Sequence, residues 1–227
     1  MVIHSIIPSA NSPPFSKQTV EGFATGLTDF TLSQLLVLQK LRIQAGKSTN
    51  KQGEKKFLMG FFVSTVGGQV LANYNSTLAT VSAVTLSIGT EALLRPSLTG
   101  SKPTISSVVS IILREAVYWS SVTTSNHVTK QKDSSPFISF MTQFMFAGVL
   151  ANTFDTIAGK ANSNELSISE LQKDIQKNTS EYIRLYKKSL PKRIAGCVVT
   201  PFLAAQLTLN PKSPFQEWLK TKELKNH

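Results

Sequence analysis

Residues 57–90 carry no charged side chain and read FLMGFFVSTVGGQVLANYNSTLATVSAVTLSIGT. A helix needs roughly 20 residues to cross the hydrocarbon core of a bilayer, which is about 30 Å thick. The stretch is therefore too long for one span and about long enough for two. The polar residues 73–77 are the natural break between them. This pattern predicts two membrane helices joined by a short turn.

Three further stretches are almost free of charge, at 134–154, 194–211 and 104–129, and the last is interrupted only by Arg114 and Glu115. Glycine, serine, threonine and alanine are frequent in them, and such small residues let helices pack closely in lipid. The chain is therefore predicted to be all-α. We predict six membrane-length helices, at 16–44, 56–74, 77–95, 103–130, 135–161 and 188–210.

Two short amphipathic helices are predicted outside these spans. In the segment 167–177, Ser167 and Glu170 have capping-box spacing, and apolar residues recur on one face. We expect this helix to lie at a membrane surface. Proline is common in the first turn of a helix, so Pro214 indicates the start of a C-terminal helix, which continues into a basic tail.

Composition argues against several classes of protein. The 227 residues include 24 Lys or Arg and 13 Asp or Glu, which give a formal charge of +11. A single cysteine, Cys197, and three scattered histidines argue against a disulfide framework and a metal site. The chain has no phosphate-binding loop and no nucleophile elbow, so we expect neither an enzyme nor a cofactor. A soluble helical bundle is the alternative to a membrane protein, because the mean hydropathy is only −0.01.

The basic residues concentrate in the connections between the first and second, third and fourth, and fifth and sixth predicted helices. These connections lie on one side of the membrane if the helices alternate in direction. Loops rich in Lys and Arg tend to face inward, so we expect this side to face inward. Both termini then share the opposite side. We expect the basic connections to contact membrane lipids, anionic ones included. Aromatic residues are not interleaved with the basic ones, so we expect no nucleic-acid partner.

Several motifs resemble those of the mitochondrial carrier family. Residues 185–193, LYKKSLPKR, are similar to the LYxGxxPxxxR stretch that opens the even-numbered helices of that family. Residues 113–119, LREAVYW, are similar to its RExP stretch. The PxDxxKxRxQ motif of its odd-numbered helices is matched in part, and Gly22 and Gly26 precede the first copy at GxxxG spacing. In the three copies the proline slots hold Leu35, Gly89 and Thr153, and the acid slots hold Val37, Glu91 and Asp155.

This resemblance implies a single carrier-like domain: a six-transmembrane-helix bundle with a three-fold pseudo-repeat, located in a mitochondrial membrane, the inner in preference to the outer. Two departures from the family are that its kink-forming prolines are absent and that the repeats are shorter. The expected parts are a flexible N-terminal segment at 1–15, repeats at 16–74, 77–130 and 134–210, and a basic tail at 211–227.

Arg114 and Glu115 are the candidate substrate-binding residues. Charged side chains within a membrane helix are costly unless they face a watery cavity or a partner, so such residues are functional candidates. The resemblance places them at the substrate contact of the fourth helix. A guanidinium can bind a carboxylate and a carboxylate can bind an ammonium, which suits a small zwitterionic solute such as an amino acid. The alternative is that the two side chains only pair with each other.

The resemblance also implies gate residues. The inner gate would keep one ion pair between repeats, Asp155 with Lys40, while Glu91 would pair with Arg95 or Lys160. The outer gate would involve His127, in an acid slot, and Lys130. The alternative is that the basic residues only anchor the helices at the membrane interface.

Two functions follow from these expectations. The first is carrier-like transport of a small solute by alternating access. The second is a carrier-like membrane protein that has lost transport and acts as a recruitment or insertion scaffold. The lost prolines and gate charges motivate the second.

Overall fold

The computed structural model describes residues 15–46, 49–74, 76–133 and 135–225, and every regular element in these ranges is helical. The predicted all-α class is confirmed. The expected flexible segment at 1–15 lies outside the described residues except for Phe15, and so does Asn75 in the predicted break.

Six long helices and two short ones make up the described chain. The long helices are α1 (Phe15–Ala45), α2 (Lys51–Ala72), α3 (Thr77–Leu94), α4 (Ile105–Lys130), α5 (Pro136–Ser163) and α7 (179–208). The short ones are α6 (Ile168–Lys177) and α8 (Pro214–Lys225), and a 3-10 turn covers Pro96–Leu98. Two π-helical segments interrupt long helices: Gln143–Leu150 in α5 and Ala195–Val199 in α7.

Side-chain caps explain where several helices begin. Ser76 accepts a hydrogen bond from the backbone N–H of Ala79 at the start of α3, and Thr104 accepts one from Ser107 at the start of α4. Ser167 and Glu170 form the predicted capping box at the start of α6. The last long helix begins earlier than predicted, at 179 instead of 188, and it contains Pro191.

The short helix α6 is fixed to the start of α7. The hydroxyl of Tyr182 donates a hydrogen bond to Asp174 Oδ2 over 2.7 Å. Leu171 is buried in the same small core, which holds the amphipathic helix against the long ones.

The long helices pack in chain order, and the last packs on the first. Contacts join α1 to α2, α2 to α3, α3 to α4, α4 to α5 and α5 to α7, and α7 returns to α1. The connection before α2 meets that before α4, where Asn50 N donates to Leu98 O over 3.0 Å. The connection after α5 joins them, because Lys102 N donates to Glu165 Oε1 over 3.0 Å. The three basic connections therefore lie at one end of the bundle, here called the basic end. The other is the terminal end.

Three helices are long and apolar enough to cross a membrane: Thr77–Leu98, Ile105–Lys130 and Pro136–Ser163. The helices α1, α2 and α7 do not meet this measure of length and composition in the described chain. In α1 the reason is visible, because the helix carries Glu21, Asp29 and Lys40 in its length. All three side chains are buried, whereas the exposed face of α1 is mostly apolar. A hydropathy averaged over the whole helix does not show this difference between its two faces.

Candidate functional site

A group of seven charged side chains, here called the charged cluster, is buried between the helices toward the basic end. Five of the six long helices contribute to it or to its edge, and α2 is the exception. The members are Lys40 of α1, Glu91 of α3, Arg95 directly after α3, Arg114 and Glu115 of α4, Asp155 of α5 and Arg193 of α7.

Asp155 is the centre of the charged cluster. Its Oδ2 lies 2.6 Å from Lys40 Nζ and 2.7 Å from Arg193 Nη1. Its Oδ1 lies 2.6 Å from Arg95 Nη1 and 3.0 Å from Arg114 Nη1. The carboxylate has no exposed surface. One buried anion therefore ties together four cations from four parts of the chain.

The remaining acids, Glu91 and Glu115, both bind Arg114. Arg114 contacts both of them, and its Nη1 lies 2.7 Å from Glu91 Oε1. Glu91 also accepts from Arg95 Nη1 over 3.1 Å. Arg114 thus contacts three carboxylates, of which Glu91 and Asp155 also bind other cations. The cluster as a whole has four cations and three anions. Its net formal charge is +1.

The structure brings most of the sequence-predicted residues together. The expected contacts of Lys40 with Asp155 and of Glu91 with Arg95 are both present. Lys160, the other partner considered for Glu91, instead pairs with Glu181, 2.9 Å away. The roles of these residues as gates stay predictions.

Arg193 is the member of the charged cluster that sequence reasoning did not assign. Its Nε donates to the carbonyl oxygen of Ala147, in the π segment of α5, over 2.6 Å. The signal was its position as the last charged residue before the neutral stretch 194–211. A charged residue at that place in a predicted span is itself a functional candidate.

A second polar group closes the terminal end and is here called the terminal cluster. Gln216 of α8 donates from Nε2 to Glu21 Oε1 over 2.9 Å and to Thr208 O over 2.6 Å. Asn73 donates to Glu21 Oε2 over 3.2 Å. Lys130 lies 3.7 Å from the same carboxylate and 3.0 Å from Asn73 O. The predicted gate residue Lys130 thus has an acid partner, Glu21, that the sequence analysis did not identify.

The structure does not bring His127 into the terminal cluster. Its side chain is exposed, and its ring contacts Gln131 of the same helix, with 3.2 Å between the two Nε2 atoms. The neighbouring Asn126 faces inward instead and donates to Gln69 Oε1 over 3.0 Å. The physical reason is the rotation of α4, in which burial of Ser125 and Asn126 turns the following residue outward.

A cavity of about 50 Å³ lies between the two clusters. Arg114, Glu115 and Lys40 of the charged cluster line one part of it, and Asp29 and Ser33 of α1 line another. On this scale a water needs roughly 10–15 Å³, so the space holds a few waters and is far smaller than a pocket for a drug-sized ligand.

Asp29 belongs to a third polar layer at the level of the cavity. It accepts a hydrogen bond from Thr200 Oγ1 of α7 over 2.9 Å and one from Gln69 Nε2 of α2 over 3.5 Å. Gln69 in turn accepts from Asn126 of α4. This layer links four helices through neutral donors.

No protein-family model, no curated protein and no solved structure matches the chain.

Proposed function

We propose that the chain is a membrane transporter that moves a small zwitterionic solute by alternating access. In this proposal the six long helices form a membrane-spanning bundle with a three-fold pseudo-repeat, similar to that of the mitochondrial carrier family. The observation that carries the proposal is a small cavity, lined in part by charged and polar side chains, with a polar cluster on each side of it.

The distribution of polarity supports six spans rather than three. In α1, Phe23 and Leu35 are 50% and 68% exposed, while Thr25 and Asp29 are buried. The same inversion holds in α2, where Met59 is exposed and Gln69 is buried. An apolar outer surface around a polar interior is unfavourable in water and favourable in lipid. Helices that fail a hydropathy average therefore still fit a bilayer through their outer faces.

The two clusters provide the two barriers that alternating access needs. Opening the basic end requires separation of the ion pairs on Asp155, and opening the terminal end requires separation of Glu21 from Gln216 and Lys130. Breaking a buried ion pair leaves uncompensated charge, so the barrier at the basic end is strong when intact. The barrier at the terminal end depends on buried hydrogen bonds to Glu21 and on its longer contact with Lys130.

Solute binding would weaken the barrier at the basic end by exchange of partners. Arg114 lines the cavity and is held by Glu91, Glu115 and Asp155. A solute carboxylate on Arg114 would replace one of these acids, so the cluster could rearrange without leaving a bare guanidinium. Because of this exchange of partners on Arg114, the solute would bind the open form and the closed form with different affinities.

The second candidate is a carrier-like scaffold that has lost transport. The observation in its favour is the small cavity of about 50 Å³, together with four cations fixed on one carboxylate. Such a core fits a permanently closed protein that binds partners through its surface. The two candidates differ in solute movement.

A mitochondrial membrane, the inner one in preference, is the proposed location, and it rests on the motif resemblance alone. In this orientation the basic end faces inward, where its lysines would meet anionic lipid headgroups. Mitochondrial fractionation followed by carbonate extraction tests the location. Recovery in the carbonate-resistant mitochondrial pellet is expected, and release into the soluble fraction would overturn both membrane functions.

Transport is tested with the purified full-length chain in liposomes loaded with an amino-acid mixture. Exchange of labelled amino acids is expected for the unchanged protein and is expected to be lost in Arg114→Ala. Leu113→Ala is the matched control, because Leu113 is the exposed neighbour of Arg114. Arg114→Lys keeps the charge, so it tests the role of the guanidinium in a variant that is expected to fold. Normal exchange by both Arg114 variants would contradict the proposed site, and no exchange by the unchanged protein would favour the scaffold.

A further inference from the structure

Asp29 is a buried acid without a cation. It lies in the middle of α1 and is 2% exposed. Its two hydrogen-bond donors, Thr200 and Gln69, are neutral, and no lysine, arginine or histidine among the described residues forms an ion pair with it. Burying a carboxylate without a counter-charge is costly, and within a membrane helix such a residue is a functional candidate.

Two further polar atoms at the same cavity have no partner. Ser33 lies one helical turn after Asp29, and its Oγ is buried without a hydrogen bond among the described residues. Trp119 also lines the cavity, and its Nε1 is buried and unpaired in the same sense. Buried polar atoms are almost always hydrogen-bonded in folded proteins. The cavity wall therefore holds one acid without a cation and two polar atoms without a hydrogen bond among the described residues. A polar ligand in the cavity could supply these missing partners.

The charges on the two sides of the cavity are complementary. The charged cluster has four cations and three anions, so it carries a formal excess of +1. Five of its members line the cavity, and Arg114 is one of them. Asp29 adds −1 on another part of the wall and brings the sum to zero. A solute with one carboxylate and one ammonium group would meet an opposite charge at both of its ends and leave the interior neutral.

We propose that Asp29 binds the ammonium group of the solute, that Ser33 Oγ accepts a second hydrogen bond from it, and that the solute carboxylate faces Arg114. This inference rests on the proposed transport function and specifies its substrate class: a small amino acid with a free primary amine. An ammonium group has three donors and needs acceptors only, which a carboxylate and a hydroxyl oxygen supply. Trp119 Nε1 is a donor only, so it suits the carboxylate.

The cavity volume of about 50 Å³ restricts the solute to a small side chain, and Trp119, which forms part of its wall, is held in place by packing. The indole ring lies so close to Gly68 of α2 that a Cβ there would come within 2.2 Å of it. Phe57 and Phe61 of α2 complete this wall of the cavity. Glycine and alanine are therefore the appropriate probes, and acetate and propionate are their matched analogues without the amine.

The test is uptake of these four labelled compounds by liposomes that contain the full-length chain. The unchanged protein is expected to take up glycine or alanine about tenfold faster than acetate or propionate, and Asp29→Asn is expected to lose this preference. Glu217→Gln is the matched control, because it makes the same change at an exposed position of α8. Ser33→Ala is expected to raise the KM for the amino acid severalfold without changing uptake of the analogue.

The outcomes separate this inference from the function on which it rests. Uptake of the acids without preference for the amine, or an unchanged preference in Asp29→Asn and Ser33→Ala, would overturn the role of Asp29 while transport stands. Uptake of none of the four compounds by the unchanged protein, together with no amino-acid exchange, would overturn both. Thermal unfolding checks the variants: Asp29→Asn removes an uncompensated buried charge, so its Tm is expected to equal or exceed that of the unchanged protein. A lower Tm would indicate a structural role instead.

Discussion

Arg193 joins the centre of the charged cluster to the π-helical segment of the neighbouring helix. Its Nη1 lies 2.7 Å from Asp155 Oδ2, and its Nε donates to Ala147 O over 2.6 Å. Ala147 lies inside the π segment Gln143–Leu150, and a second π segment begins two residues after Arg193. π segments are a recognised cause of helix bending. The helix α5, in which Thr153 occupies the proline slot of the motif, therefore still has a place at which it can bend, and Arg193 connects this place to the cluster.

We expect Asp155→Asn to cause a large loss of stability, because it leaves four buried cations with only Glu91 and Glu115 as acids. Loss of one partner of a buried ion pair typically costs about 3–5 kcal/mol. Thermal unfolding in detergent, followed by circular dichroism, measures the change. Removing one cation in the same chain, with Lys40→Met, is expected to recover part of the loss. Asp155→Asn with unchanged stability would contradict the central role of this carboxylate.

Arg193→Lys tests whether the shape of the guanidinium matters in addition to its charge. Arg193 binds Ala147 O and Asp155 with two different nitrogens, whereas a lysine keeps the charge but carries all of its N–H donors on one nitrogen, so we expect it to lose one of the two contacts. Loss of one hydrogen bond to a charged group costs about 1.5–3 kcal/mol, and this is the expected decrease in the free energy of unfolding. Lys188→Arg, at an exposed position of the same helix, is the control and is expected to have no effect. Equal stability of both variants would show that charge alone is sufficient.

The sequence predicts the helices of this chain better than it predicts the site. The neutral stretches place most of the helices to within about five residues, because this signal is local, although α7 begins nine residues before its predicted start. The contact of Arg193 with Asp155 depends on the rotation of two helices that each contain a π segment, which no local pattern specifies. Glu21 was missed for the same reason. Asp29 had a usable signal, since it is an acid in the middle of a predicted span.

Two glycines in α1 are expected to be essential for its packing on α2. A Cβ on Gly22 would come within 2.5 Å of Val70 Cα, and one on Gly26 within 2.6 Å of Val66 Cα. Backbone atoms cannot move aside, so Gly22→Ala and Gly26→Ala are each expected to lower stability by about 1–3 kcal/mol. Gly89→Ala is the control, because nothing lies within 4 Å of that Cβ. Chemical denaturation of the three variants is the measurement, and equal stability of all three would contradict the close contact.

Cys197 makes the closure of the terminal end measurable, because it is the single cysteine of the chain, is buried and lines the cavity. A membrane-impermeant thiol reagent is expected to label it slowly in liposomes. Gln216→Ala removes two buried hydrogen bonds of the terminal cluster, each worth about 0.5–1.5 kcal/mol, and should speed labelling by about tenfold. Gln172→Ala, at an exposed position of α6, is the matched control. If the two variants are labelled at the same rate, α8 does not close the cavity, and the barrier at this end must come from Glu21 and Lys130 alone.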